Sequence, residues 1–390
     1  MNHSVVLLKT VADPRSSAEY LPMAMLDPRV QKLAHLLVHY STEVKPGERV
    51  QLIGSPASEP LLRELYREIL RVGAHPIVRM RLSDQDYHFY ALAQDSELDY
   101  TDPLQLHEVE NIDVSIRAFP DENPHALTSV DPAKKQRRLR ASKPITERFV
   151  QRWSEGRLRW VGSAYPTEAL AQEAKLSLEE FARFVFEAGR LDEPNPAAYW
   201  KAVSARQQKL CDRLKQCSTI RYQGLDTDLT FSCAGRNWIN CDGKLNFPDG
   251  EVFTGPVENS VNGAIRFTFP GIFHGQEIED IYLRFKDGKV QEARAAKGQD
   301  LLQKLLQTDE GASGVGEIAI GTNDQIRRFS KNMLFDEKMG GTIHLAVGMG
   351  IPGSGSKNVS ALHWDMLKDM RQGGEIYADG ALIYRDGRFI

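Results

Sequence analysis

The chain has no apolar run near the roughly 20 residues that a helix needs to span a bilayer. Its opening residues, MNHSVVLLKTVADPRSS, carry no basic segment ahead of an apolar core of signal-peptide length. A cytoplasmic protein with no membrane partner is therefore expected. Cysteine is scarce, with only Cys211, Cys217, Cys233 and Cys241 in 390 residues. None forms a CxxC pair, so neither a zinc finger nor a disulfide framework is indicated, and reduced thiols are expected. Cys233 and Cys241 are spaced to face each other across a hairpin, although a single buried thiol suits each better. A dominant charge is also lacking. The formal net charge of −4 gives no global attraction to nucleic acid or to an anionic membrane. The one basic concentration, Lys134, Lys135, Arg137, Arg138 and Arg140, has no interleaved aromatic residues and reads as a solvated helix face. Internal repeats and low-complexity segments are absent.

What remains is an ordinary globular composition in a chain long enough for two domains with ample core. Residues 1–27 read as an irregular leader. From 28 to 217, helical and strand patterns alternate. Val30, Leu33, Ala34, Leu37 and Tyr40 are spaced as one helical face, and the helix should stop before Lys45-Pro46-Gly47. Arg49–Ile53, His75–Leu82, Asn111–Ala118 and Arg159–Ala164 read as strands. Ala57–Val72 reads as an amphipathic helix closed by Gly73, Gln94–His107 as a polar loop or broken helix, and Asn195–Cys217 as a long helix; Ser177 and Glu180 frame a capping box. This alternation implies parallel strands joined by crossover helices. From 218 to 390 short alternating strands are punctuated by Asp287-Gly288, Asp379-Gly380 and Asp386-Gly387, with one helix near Leu301–Leu306. The expected fold is an α/β N-terminal domain with parallel strands and crossover helices, followed by a mainly antiparallel β (α+β) C-terminal domain that binds metal.

Chemistry-bearing residues concentrate between Gly340 and Met366. His344 lies in the apolar run Thr342–Val347, which reads as a buried strand, and His363 and Asp365 stand two apart. If that segment is extended, both side chains face one side. Imidazole and carboxylate are ligands that zinc and related dications favour. On spacing alone the plainer reading, a satisfied core histidine and a helix-capping aspartate, is favoured. Two glutamates, Glu251 in PDGEVFTGP and Glu317 in GEIAIG, each follow a glycine and open a short apolar run. A carboxylate there is costly to bury unless it is paired or binds metal. An exposed edge residue is the even alternative for each.

These residues sit in blocks that resemble the M29 family of metallo-aminopeptidases. The blocks are NFPDGEVFTGPVENSVNGAIRFTFP, TDEGASGVGEIAIGTN, LFDEKMGGTIHLAVG, and NVSALHWDM followed by GGEIYADGALIYRDGRFI. The resemblance covers about Pro28 to Ile390. It implies a dinuclear centre whose ligands are Glu251, Glu317, His344, His363 and Asp365, holding two divalent ions (Zn, Co or Mn). It implies cleavage of the N-terminal peptide bond of short peptides. Glu317 is the site carboxylate expected to pass the water's proton to the leaving amine. It also implies a homodimer whose domains enclose a cavity. The family usually has a tyrosine before the proline after the IHLA strand; here that position is Ile351, which can neither donate nor accept a hydrogen bond. A specialised amide hydrolase and a mononuclear Fe(II) ring-cleaving dioxygenase are the rival readings, and retention of Glu317 and His344 argues for hydrolysis. Asp336 and Lys338 are expected as a structural ion pair, Asn237 and Trp238 as supports, and His274 as lying outside the ligand set.

Overall fold

The computed structural model describes residues 27–119, 122–273 and 275–390. All but the last residue of the expected leader, and His274, lie outside the described residues. The first helix, Pro28–Leu36, is started by the Asp27 carboxylate, which accepts from Arg29 N, and by proline at the first position, where a missing N–H costs nothing. It buries Val30, Leu33, Ala34 and Leu36 and runs on as a π turn, Leu37–Ser41. Helix Glu59–Val72 buries Leu61, Leu62, Leu65 and Ile69 and ends at Gly73, whose φ of 83° is the left-handed cap that glycine adopts freely. These helices cover a parallel sheet in the order His75–Met80, Arg49–Gly54, Val114–Phe119, Arg159–Ala164, Asn246–Phe247.

The second half is antiparallel. One eight-stranded sheet runs from Lys289–Arg294 at one edge to Arg388–Phe389 at the other. A five-stranded sheet has the order His363–Asp369, Thr342–Gly348, Val315–Gly321, Glu251–Thr254, Ile239–Cys241. Their facing sides share one apolar core that includes Leu229, Ile265, Leu283, Ile318, Leu345 and Met366. The expected fold class is the observed one. Two segments of the second half return to the first: Asn246–Phe247 extends the parallel sheet, and Phe335 packs on Phe184 with ring centroids 5.1 Å apart.

Some expectations change in detail. Gln85–Leu92 is a helix that was not foreseen, because it buries none of its residues and so shows no apolar face. Gln94–His107 holds the short helix Asp95–Leu98 and the start of Pro103–Asn111, as a broken helix would. The basic run lies on helix Pro132–Ser154, but its face is not simply solvated. Arg137 pairs with Asp95 and Asp99, Arg138 donates to Tyr100 O, and Lys134 donates to Tyr90 O. All four cysteines are free, and Cys241 stands opposite Glu251, not opposite Cys233. Among the described residues no helix is long and apolar enough to cross a membrane.

Trp200, on helix Pro196–Leu214, joins the two halves of the fold. Its indole packs against Phe247 (centroids 5.3 Å apart) and donates to Gly189 O at 2.9 Å. Trp200→Ala removes that packing and leaves a cavity, so a loss of about 3–5 kcal/mol is expected in denaturant unfolding. A loss below about 1 kcal/mol, the range of unremarkable surface changes, would contradict this role.

Candidate metal centre

The five-stranded sheet places the candidate residues by register alone. In an antiparallel pair, directly opposed residues point to the same face. Ala346 is opposite Glu317 on one side and Asp365 on the other, which puts all three in one row. His344 is opposite Ala319, and Gly348 is opposite His363. Glu251 is opposite Gly321. With side chains alternating along each strand, Glu251, Glu317, His344, His363 and Asp365 all face one side. The positions between them on that side, Ala319, Gly321, Ala346 and Gly348, are small and leave room for a cluster. The other side carries Val252, Ile318, Ile320, Ile343, Leu345, Val347, Trp364 and Met366, all buried in the core. Asp365 therefore lies in a strand and caps no helix, and His344 is buried among carboxylates and not in an apolar pocket.

Distances draw the five together. His344 Nε2 lies 3.4 Å from Glu251 Oε2 and 3.4 Å from Glu317 Oε1. His363 Nε2 lies 3.7 Å from Glu317 Oε2 and 3.4 Å from Asp365 Oδ2. One oxygen of Glu317 thus faces each imidazole. The atoms fall into overlapping groups, Glu251 with Glu317 and His344, and Glu317 with His363 and Asp365, each gathered within 4.8 Å. Glu251 Oε2 and Asp365 Oδ1 are buried with no hydrogen-bond donor. Such orphaned acceptors are expensive unless a cation meets them, so the residues fit a divalent metal centre.

A further carboxylate was missed in the sequence. Glu337, just past helix Met333–Asp336, groups with His344 and Asp365 within the same 4.8 Å. Its signal was the DEK of the LFDEK block. The expected Asp336–Lys338 pair is not formed. Asp336 accepts from Ser330 N and Ser330 Oγ. Lys338, wholly buried, instead contacts Glu337 and lies 3.3 Å from Glu251 Oε1. Asn237 does support the neighbourhood: its N donates to Ser354 O, and its carbonyl accepts from Thr254 Oγ1. Trp238 is buried in the core beneath.

Other supports were also invisible in the pattern. Gln207 donates to Asn240 Oδ1, Cys241 O and Glu251 O and accepts from Thr322 Oγ1, which fixes the Glu251 backbone from the helix behind. His363 Nδ1 lies 2.7 Å from Met349 O, an N–H donation that turns Nε2 toward the carboxylates. Gly316, at the bulge that precedes Glu317, is needed there because a Cβ would come 2.2 Å from that same Met349 oxygen.

The chain matches known proteins over most of its length. A model of the "Thermophilic metalloprotease (M29)" family matches residues 26–389. The chain belongs to the M29 metalloprotease family. It is 31% identical to aminopeptidase T of Thermus thermophilus over 75% of this chain and 76% of the relative, and 25% identical to aminopeptidase 2 of Geobacillus stearothermophilus over 83% and 84%. The solved structure of wild-type AmpT from Thermus thermophilus superposes with a TM-score of 0.79 at 25% identity, covering 93% of this chain and 99% of that one. Family membership makes the protein a hydrolase that uses divalent metal. The relatives found are named aminopeptidases, which does not favour the ring-cleaving reading.

Electrostatics tie metal binding to protons. Burial would push the His344 imidazole down, but Glu317, Glu251 and Asp365 outweigh it and hold it up at about 9. Burial is likewise overcome at His363, chiefly by Asp365, which holds it at about 10. Burial pushes Glu251 up to about 8 against the pull of Lys338. Near pH 7 the metal-free cluster therefore carries protons that a dication must displace, since it binds neutral imidazole and ionised carboxylate. Affinity is expected to rise with pH through that range. Calorimetry in two buffers of different ionisation enthalpy should show more than one proton released per chain, and no release would contradict this. Lys338→Met removes the ammonium that faces Glu251 and the half-buried Glu337. The metal-free variant is expected to lose about 3–5 kcal/mol in denaturant unfolding, with divalent metal restoring part of it; an unchanged midpoint would show that the ammonium carries no such role.

Proposed function

We propose that the protein is a metal-dependent aminopeptidase that removes the N-terminal residue from short peptides, with two divalent ions held by Glu251, Glu317, His344, His363 and Asp365. The observation that carries this reading is Glu317, which presents one oxygen to His344 and the other to His363. One carboxylate between two ligand groups is what a two-ion centre requires. Bound there, paired dications supply Lewis acidity toward the scissile carbonyl and bring the ionisation of water to near neutral pH.

The chain's own residues supply the rest. Glu317 takes the proton of the attacking water and returns it to the leaving amine. Glu251 and Asp365 stay in fixed orientations, the first held by Lys338 and the second by His363. Glu337, the carboxylate beside the cluster that is not one of the five ligands, is the group that would receive a positively charged α-amine, which accounts for action at a free N-terminus. Ile351 lies in the turn after strand Thr342–Gly348, and its carbonyl accepts from Ser354 N and Ser354 Oγ. Its side chain gives no donor to a developing oxyanion, so turnover is expected to be slow for this chemistry.

The test is hydrolysis of aminoacyl p-nitroanilides after chelation and after return of Zn, Co or Mn. Activity should vanish with the metal, return with it, and be absent on N-acetylated substrate. Glu317→Gln should lose about 10²–10⁴ in rate, and Ile351→Tyr should raise turnover, toward the roughly hundredfold that one oxyanion donor contributes. Near-normal activity in Glu317→Gln, or equal cleavage of the acetylated substrate, would overturn the reading.

A further inference from the structure

Helix Pro28–Leu36 passes into the π turn Leu37–Ser41, where Thr42 N reaches back to Leu37 O. Such turns are uncommon and recur at functional sites. This one contains His39, which stands four residues after His35 on one helix face, with ring centroids 4.2 Å apart. Both rings aim a nitrogen at a single atom. His35 Nδ1 is 2.9 Å and His39 Nε2 2.8 Å from Oε1 of Glu68, on helix Glu59–Val72. Arg71 Nη1 holds the other oxygen, Oε2, at 2.6 Å. The three candidate ligand atoms lie within 4.8 Å of one another. His35 and Glu68 also line a cavity of about 560 Å³ that Lys32 and Arg71 border.

We propose that His35, His39 and Glu68 form a second metal site, separate from the catalytic sheet, that takes a late first-row dication of the zinc type. Two imidazoles and one carboxylate oxygen are a zinc donor set, and three protein ligands leave a fourth position open toward solvent and the cavity. Arg71 occupies Oε2, so Glu68 binds through one oxygen only. Magnesium and calcium, which need mostly oxygen ligands, are excluded by the same donor set. A bound ion ties the first helix to the second. It shares no residue with the Glu317 cluster.

The test uses the full chain. After equilibration with micromolar zinc, wild-type protein should hold one zinc per chain more than His35→Gln or His39→Gln. Both variants keep a hydrogen-bonding side chain beside Glu68 and should keep aminopeptidase activity at saturating metal. The extra site's affinity should fall at least tenfold in each. Zinc should also shield His35 and His39 of the unaltered protein from acylation by diethyl pyrocarbonate, read by peptide mass spectrometry. Equal zinc content in wild type and both variants, or no shielding, would overturn the proposal.

Discussion

The position of Glu317 between two imidazoles is the constraint on which the functional half of the molecule depends. It exists only because three neighbouring strands are in one register. Ala346 stands opposite both Glu317 and Asp365, and a slip of one residue on any strand would turn one of these polar side chains into the core. The register is held from the other side. Ile318, Ile343, Leu345, Trp364 and Met366 are buried there, and each sits beside a site residue in sequence. The same alternation that builds the core therefore aims the site.

Concentrating Glu251, Glu317, Glu337 and Asp365 in a buried cluster is unfavourable without positive charge. The fold answers with Lys338 on one side and with two imidazoles held protonated on the other. Metal bound there, as proposed, would replace those protons with cations. The backbone is made rigid beforehand. Gln207 and Asn323 tie the approach to Glu251, Asn323 through donations to Asp249 O and Ala188 O. Gly250, at a φ of 126°, lets the chain pass where a Cβ would stand 2.8 Å from Asn323 Cβ.

Much of this was legible in the sequence because periodicity records burial. Strand Arg159–Ala164 was read to the residue, and the capping box at Ser177 is present. The antiparallel half was readable from its Asp-Gly turns. Helix Gln85–Leu92 was not, because it buries nothing and leaves no period to detect. The site was readable in part. His344, His363 and Asp365 suggested only a weak pattern, and their convergence with Glu251 and Glu317 depends on strand pairings between residues far apart in the chain. Glu337 and the pairing of Lys338 escaped for a related reason. They lie in a turn, where no period tells which way a side chain points. Gln207 is a lone polar residue on the buried face of a helix, a signal that says a partner exists without saying where.

The proposed two-ion centre lies on one face of the five-stranded sheet, with Glu317 between its ions. Anomalous scattering from crystals of the full chain soaked with manganese or cobalt tests it most directly. Two peaks about 3.5–4 Å apart, each beside one oxygen of Glu317, with His344 at one and His363 at the other, are the predicted result. A single peak, or a pair that Glu317 does not touch, would contradict it.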